Sequence, residues 1–295
     1  MLPVELMRQI RRLQLRARRA VQTLLGGEYH SVFKGTGLSF EEVREYQPGD
    51  EVRSIDWNVT ARMGSPFIKR FVEERELTVL LLVDVSGSQR FGTQQHAKRT
   101  VAAELAALIA FSAIANNDRV GLIACTDAVE RFVPPAKGSR HVLRLLRDIL
   151  FFEPERKGTS LKAGLDYLNQ VQARRAIVFF ISDFLDEGYE PAFRIAGRKH
   201  DLVAVRVADA REEELPDAGL IQIEDAETGK QRLIDTHSEE FRRRFGDRAA
   251  ERRQALVRLT RSSQVDLIEV STDGRHFEAL VRFFQMRERR RRHGR

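Results

Sequence analysis

Asp84, Ser86 and Ser88 stand at i, i+2 and i+4 directly after five consecutive aliphatic residues, Val79 to Val83. One carboxylate and two hydroxyls at that spacing are hard oxygen donors of the kind that Mg²⁺ or Mn²⁺ takes. Two later positions carry the same chemistry. Thr159 lies in Lys157-Gly158-Thr159-Ser160, just ahead of a helix-periodic stretch, and Asp183 follows the apolar run AIVFFIS. Covalent catalysis fits poorly. No Gly-x-Ser-x-Gly elbow surrounds either serine and no P-loop is present. An aspartyl-phosphate mechanism would want an acid two residues after Asp84, where Ser86 stands. The set points to binding, with a Mg²⁺-dependent hydrolase using the same oxygens as the alternative. Taken singly, each residue also has a plainer reading as a turn or helix cap.

These residues need a scaffold that brings three loops together. A continuous apolar run ended by a turn signal reads as a strand buried on both faces, as in a parallel sheet. Such runs recur as TVLLLVD, RVGLIACT, RAIVFFIS and DLVAVRVAD, with QVDLIEV near the end. Helical periodicity separates them over about 93–116, 139–152, 161–171, 191–197, 238–261 and 276–289. VERFVPP reads as a short strand, and LIQIEDAETGKQRLID as a hairpin turning near Thr228-Gly229. The alternation predicts an α/β fold with a doubly wound, mostly parallel sheet. In open sheets of this kind, ligands bind at the carboxyl ends of the strands.

Ahead of the sheet, residues 3–25 read as an amphipathic helix with Leu6, Ile10, Leu13, Ala17 and Leu24 on one face, ended by Gly26-Gly27. Residues 28–76 change character, with glycines and prolines punctuating β-prone pieces such as HSVF, VREY, VRSIDW and FIKRFV. Gly35-Thr-Gly37 lacks the third glycine of a dinucleotide loop. The expected organisation is thus a helix (1–27), a small β-rich module (28–76), an α/β domain (77–286) and a basic disordered tail (287–295).

The bulk properties narrow the class. The 295 residues carry a formal charge of +7, concentrated in arginines near both ends, so the body between them is mildly acidic. That argues against a dedicated nucleic-acid reader, while arginine-rich ends fit either an acidic partner or a solubilising terminus. One cysteine, Cys125, excludes an internal disulfide. No secretory leader and no stretch long enough for a membrane span is visible, and the reading expects a cytoplasmic protein.

Two resemblances follow from these residues. The Asp-x-Ser-x-Ser motif with a later Thr159 and Asp183 resembles the metal-ion-dependent adhesion site of von Willebrand factor type A domains, with all five positions present. That resemblance implies Mg²⁺ (or Mn²⁺) bound directly by Ser86, Ser88 and Thr159. Asp84 and Asp183 would stand behind them, and one position would be left for a partner's carboxylate. The run Arg44, Tyr46, Gly49, Asp50, Arg53, Asp56, Trp57 and Arg62 is similar to the signature of the family called domain of unknown function 58. There, such a module precedes a type A domain. The resemblance implies a non-enzymatic adaptor working with a MoxR-type AAA+ ATPase in assembling, remodelling or metal-loading client complexes. Physically, Pro48-Gly49 suits a tight turn. The module's arginines and aspartates are expected to form an ion-pair network, and Trp57 to be a core anchor between module and sheet.

Overall fold

The computed structural model describes residues 10–17, 39–72, 76–93, 96–156 and 158–293. The chain divides into two compact units, Phe33–Leu77 and the remainder. Expectations for Leu6, Leu24, Gly26-Gly27, HSVF and Gly35-Gly37 lie outside the described residues.

In the smaller unit, β1 (Ser39–Glu45) pairs antiparallel with β2 (Phe67–Val72). VRSIDW is not a strand. Val52–Ser54 is a 3-10 turn, and Asp56 caps the helix Trp57–Met63 by accepting from Asn58 N and Val59 N. An aspartate at N-cap satisfies donors that a strand would have paired elsewhere, so the cap decides for helix. Gln47 to Asp50 form the expected turn, with Pro48 and Gly49 (φ +112°) central and Asp50 N donating to Gln47 O at 3.0 Å.

The larger unit is built on a six-stranded sheet. Its strands are β3 (Thr78–Asp84), β4 (Arg119–Cys125), β5 (Val129–Ala136), β6 (Ile177–Ser182), β7 (Asp201–Ala208) and β10 (Asp266–Ser271). Their order is β10-β7-β6-β3-β4-β5, parallel except for β5 at the edge. β5 carries Pro134 and Pro135, and Gly121 on β4 makes room for them: a Cβ there would meet Pro135 Cγ at 3.0 Å. The remaining pair, β8 (Leu220–Glu224) and β9 (Gln231–Asp235), forms a separate hairpin.

Helices cover both faces, as the continuous aliphatic runs demand. Counting residues 10–17 as α1 and Trp57–Met63 as α2, the helices of this unit continue as α3 (Lys98–Ala115), α4 (Ser139–Phe151), α5 (Leu161–Val171), α6 (Glu190–Lys199), α7 (Ala210–Glu213), α8 (Glu239–Ser262) and α9 (His276–His293). Leu80 and Leu82 of β3 join a core with Leu161, Leu165, Phe193 and Leu256 from α5, α6 and α8. Val79, Leu81 and Val83 alternate to the other face. There α3 is buried all round, consistent with its apolar composition on every side. Ile10, Leu13 and Ala17 of α1 are buried, and Arg16 reaches Glu104 of α3 at 2.9 Å.

Residues 287–293, expected to belong to a disordered tail, are instead helical, because α9 runs to His293. Arg287 is held by Asp201 and Asp266, and Arg290 by Asp266, so carboxylates at the start of β7 and β10 neutralise what reads in sequence as a solvated charge run.

The chain leaves β3 towards β4 and β5, then returns to the opposite side of β3 to place β6. That reversal puts a crevice between the carboxyl ends of β3 and β6. Asp84 ends one of these strands and Asp183 follows the other.

Candidate functional site

Asp84 is buried and accepts three hydrogen bonds, from Ser86 N (2.9 Å), Ser182 Oγ (2.8 Å) and Gln89 Nε2 (3.2 Å). The bond to its own i+2 amide folds the chain back at the strand end and turns both serines towards the crevice. Ser86 Oγ and Ser88 Oγ lie 3.1 Å apart, and Ser88 Oγ donates to Asp183 Oδ2 at 2.8 Å. Neither serine works as a helix cap, since the 3-10 turn after Ser86 has no side-chain cap bond. Four of the five residues singled out in the sequence therefore share one hydrogen-bonded hub.

Thr159 arrives by a different route. Ser160 N donates to Thr126 O, at the end of β4, and Leu161 N donates to Asp186 Oδ2 in the loop after Asp183. Both bonds are 2.8 Å, and they tie the Thr159 loop to the same sheet edge. The cap of α5 is Ser160, which accepts from Ala163 N, so Thr159 is free of that duty. Its hydroxyl donates instead to Glu227, in the β8–β9 turn.

Two residues at the hub carry no sequence signal of the usual kind. Gln89 is buried, and its amide nitrogen bridges Asp84 and Asp183 (3.0 Å to Asp183 Oδ2). Its Oε1 is buried without a partner among the described residues. Lys98 is 0% exposed and binds Asp183 Oδ2 at 2.7 Å and Glu212 Oε1 at 2.5 Å. A cation in a helix's first turn opposes the helix dipole. That misplacement, at the head of a helix whose later turns are mostly apolar, hints at a specific anion nearby.

The electrostatics follow from this burial. Burial, and then the charge of Asp183, push the Asp84 carboxyl well above the usual carboxylate range. Burial alone would lower Lys98, but Asp183 and Glu212 outweigh it and raise the ammonium above its ordinary value. Burial raises Glu212 and, with Asp84 beside it, the Cys125 thiol. Asp183 and Glu212 share the one buried lysine, and Asp84 lies beside Asp183 without an ion-pair partner of its own among the described residues. Phe184 tightens the geometry further. It adopts φ +57°, a costly conformation for an aromatic residue, and packs its ring on Phe180 at 5.0 Å.

A further buried carboxylate, Asp209, braces the loop beyond the serines. It accepts from Thr93 N (2.9 Å), Thr93 Oγ1, Arg211 N and Thr272 Oγ1. Burial would raise its carboxyl, but the Thr93 bonds and those that follow hold it down to about 2.

Among the described residues no group of three or more His, Cys, Asp or Glu is arranged to hold a metal ion. The donors on offer are hydroxyls backed by carboxylates. Ser86 and Ser88 have the separation of two cis ligands in an octahedron of about 2.1 Å bonds, whose edge is about 3 Å. The orphaned Gln89 oxygen, buried beside the two carboxylates, fits a small hard cation as well.

In the module, Arg44 clamps Asp50 through both terminal nitrogens (3.0 and 2.7 Å), and Asp50 also accepts from Gln47 N, which lowers its carboxyl pKa. Among the described residues the expected ion-pair network joins Arg44 to Asp50 but does not extend to Arg53 or Arg62. Asp56 is the helix cap, while Arg53 and Arg62 are exposed and make no ion pair among the described residues. Tyr46 contributes its backbone amide, which donates to Pro66 O at 2.8 Å. Trp57 is not a core anchor: at the first position of its helix it is 67% exposed.

Among the described residues no helix is long and apolar enough to cross a membrane. A family model described as "Protein of unknown function DUF58" matches residues 42–255. An uncharacterized protein of Mycobacterium tuberculosis is 33% identical over 283 residues, which is 95% of this chain and 89% of that protein. The uncharacterized protein YeaD of Bacillus subtilis is 25% identical over 182 residues, 62% of this chain and 43% of YeaD. Solved structures with some likeness include the hypothetical protein BatB from Bacteroides thetaiotaomicron (15% identity, TM-score 0.43, covering 72% of this chain and 99% of that one). A von Willebrand factor type A protein from Catenulispora acidiphila matches at 10% identity and TM-score 0.41, over 75% of this chain and 44% of its own. Those likenesses are too loose to bear on function, and the fold stands on its own strand order. On the family match and the near full-length relative, the chain belongs to the DUF58 family.

Proposed function

We propose that this protein is a non-enzymatic, metal-dependent protein-binding adaptor. Ser86, Ser88 and Thr159 would hold Mg²⁺ or Mn²⁺, with Asp84 and Asp183 orienting the hydroxyls from behind. Bound there, the cation supplies a Lewis-acidic point for a carboxylate of a partner protein. The observation that carries this reading is the Asp84–Ser86–Ser88–Asp183 hub at the topological switch point. Its hydroxyl oxygens are oriented by buried carboxylates.

The partner we propose is a MoxR-type AAA+ ATPase, or a client complex that it assembles, remodels or loads with metal. That part rests on the family resemblance alone. The test is capture from source lysate by tagged protein in Mg²⁺, in EDTA, and with S86A. Capture of an AAA+ ATPase only with Mg²⁺ and intact Ser86 supports a metal-bridged adaptor. Equal capture in all three moves the interface away from the hub. Phosphoester or peptide turnover by the purified protein, abolished by D84A, would replace the adaptor with a hydrolase.

A further inference from the structure

The Thr159 hydroxyl has a partner that the five-residue set does not include. Glu227 sits in the turn of the β8–β9 hairpin, more than sixty residues along the chain, and its carboxylate accepts the Thr159 proton. The turn is built to present it. Asp225 Oδ1 accepts from Glu227 N (3.0 Å) and Thr228 N (2.9 Å), and Asp225 N donates to Lys230 O at 2.9 Å. Gly229 takes the left-handed conformation (φ +68°) that closes the turn. At the base of the hairpin, Thr236 Oγ1 bonds Gly219 O at 2.7 Å and accepts from Ala218 N at 3.0 Å. Otherwise the strands are mostly exposed, with Leu220 and Leu233 facing solvent.

A hydroxyl has one proton and two lone pairs. Ser88 gives its proton to Asp183, leaving its oxygen available as a donor to a cation. Thr159 and Glu227 repeat that arrangement on a loop tied to the same sheet edge. We propose that Glu227 is a positioning carboxylate of the metal site, doing for Thr159 what Asp183 does for Ser88. The hairpin is thereby a working part of the site, and its order is coupled to metal binding. This rests on the metal-site reading above.

The coupling is reciprocal: if the hairpin's carboxylate favours the loaded site, loading must favour the docked hairpin by the same factor. The experiment is Mn²⁺ titration, by calorimetry or by loss of the free-ion resonance, of the full chain and its E227A, E227Q, T159A and E227A/T159A variants. Loss of an orienting partner of this kind weakens metal binding roughly 10–100-fold. E227A should show that loss and E227Q, which keeps an acceptor oxygen, a smaller one. The double variant should be no worse than T159A, because Glu227 acts through Thr159. Mn²⁺ should also slow amide exchange in the hairpin of the wild type and not in E227A. Wild-type affinity in E227A overturns the proposal while leaving the metal site standing. Tighter binding in E227A also overturns it, making Glu227 a competitor. If the folded wild type binds no Mn²⁺, the metal site itself falls and the proposal with it.

Discussion

Replacing Lys98 by methionine tests the hub without reference to any metal. The ammonium is 0% exposed and Asp183 is 3% exposed, so neither charge has water to fall back on. K98M keeps most of the side-chain volume but removes the 2.7 Å bond to Asp183 and the 2.5 Å bond to Glu212. Asp183 is then left beside Asp84 with no cation. Breaking one partner of a buried pair costs about 3–5 kcal/mol. At about 2–4 °C per kcal/mol for a chain of this size, Tm should drop by on the order of 10 °C. The informative comparison is the double variant. D183N removes the charge that K98M strands, so K98M/D183N should unfold at a smaller cost than the sum of its parts, with a coupling of about 1–3 kcal/mol. Urea or thermal unfolding of the four proteins in metal-free buffer reads this directly. Additivity within about 0.5 kcal/mol would refute the reasoning, as would a K98M protein as stable as the wild type.

Three further outcomes follow from other positions. Burial, and then Lys199 and Arg175, push His200 down to about 4; as pH falls from about 6.5 to 4, the unfolded chain takes a proton that the folded chain refuses. Stability should therefore fall across that window, and H200N should flatten the slope of unfolding midpoint against pH. A methyl group at Gly164 would meet Cys125 Sγ at 2.8 Å and Leu82 Cδ1 at 3.1 Å, so G164A should lose about 1–3 kcal/mol in urea unfolding. Trp57, the single tryptophan, should emit as a water-exposed indole, and W57A should change stability by no more than about 0.5 kcal/mol.

The sheet was legible because burial on both faces leaves runs such as Val79–Val83 and Ile177–Ile181 with no polar interruption. Strand ends then located Asp84 and Asp183, and the order of the motifs located the Thr159 loop. Lys98 and Gln89 were hidden for the opposite reason: long polar side chains default to solvent, and only tertiary placement turns them inward. Glu227 was hidden by distance along the chain, since nothing in a hairpin turn announces which loop it will meet. Trp57 was misjudged because an aromatic residue reads as core, whereas Asp56 at the N-cap fixes the helix start and turns Trp57 outward. Arg287 reads as a solvated charge run until the carboxylates at the start of β7 and β10 are seen beside it.

The two prolines of β5 limit how this molecule can associate. At that edge Pro134 and Pro135 offer no N–H, and the β4–β5 ladder is already irregular opposite them. A strand from another molecule arriving there finds the row of donors broken at the prolines, so extension of the sheet by backbone pairing is disfavoured over that stretch. Association beside the prolines is left to side chains and loops, whose charges respond to salt, protons and metal ions. Contacts of that kind can be made and released repeatedly, which continuous strand addition does not readily allow.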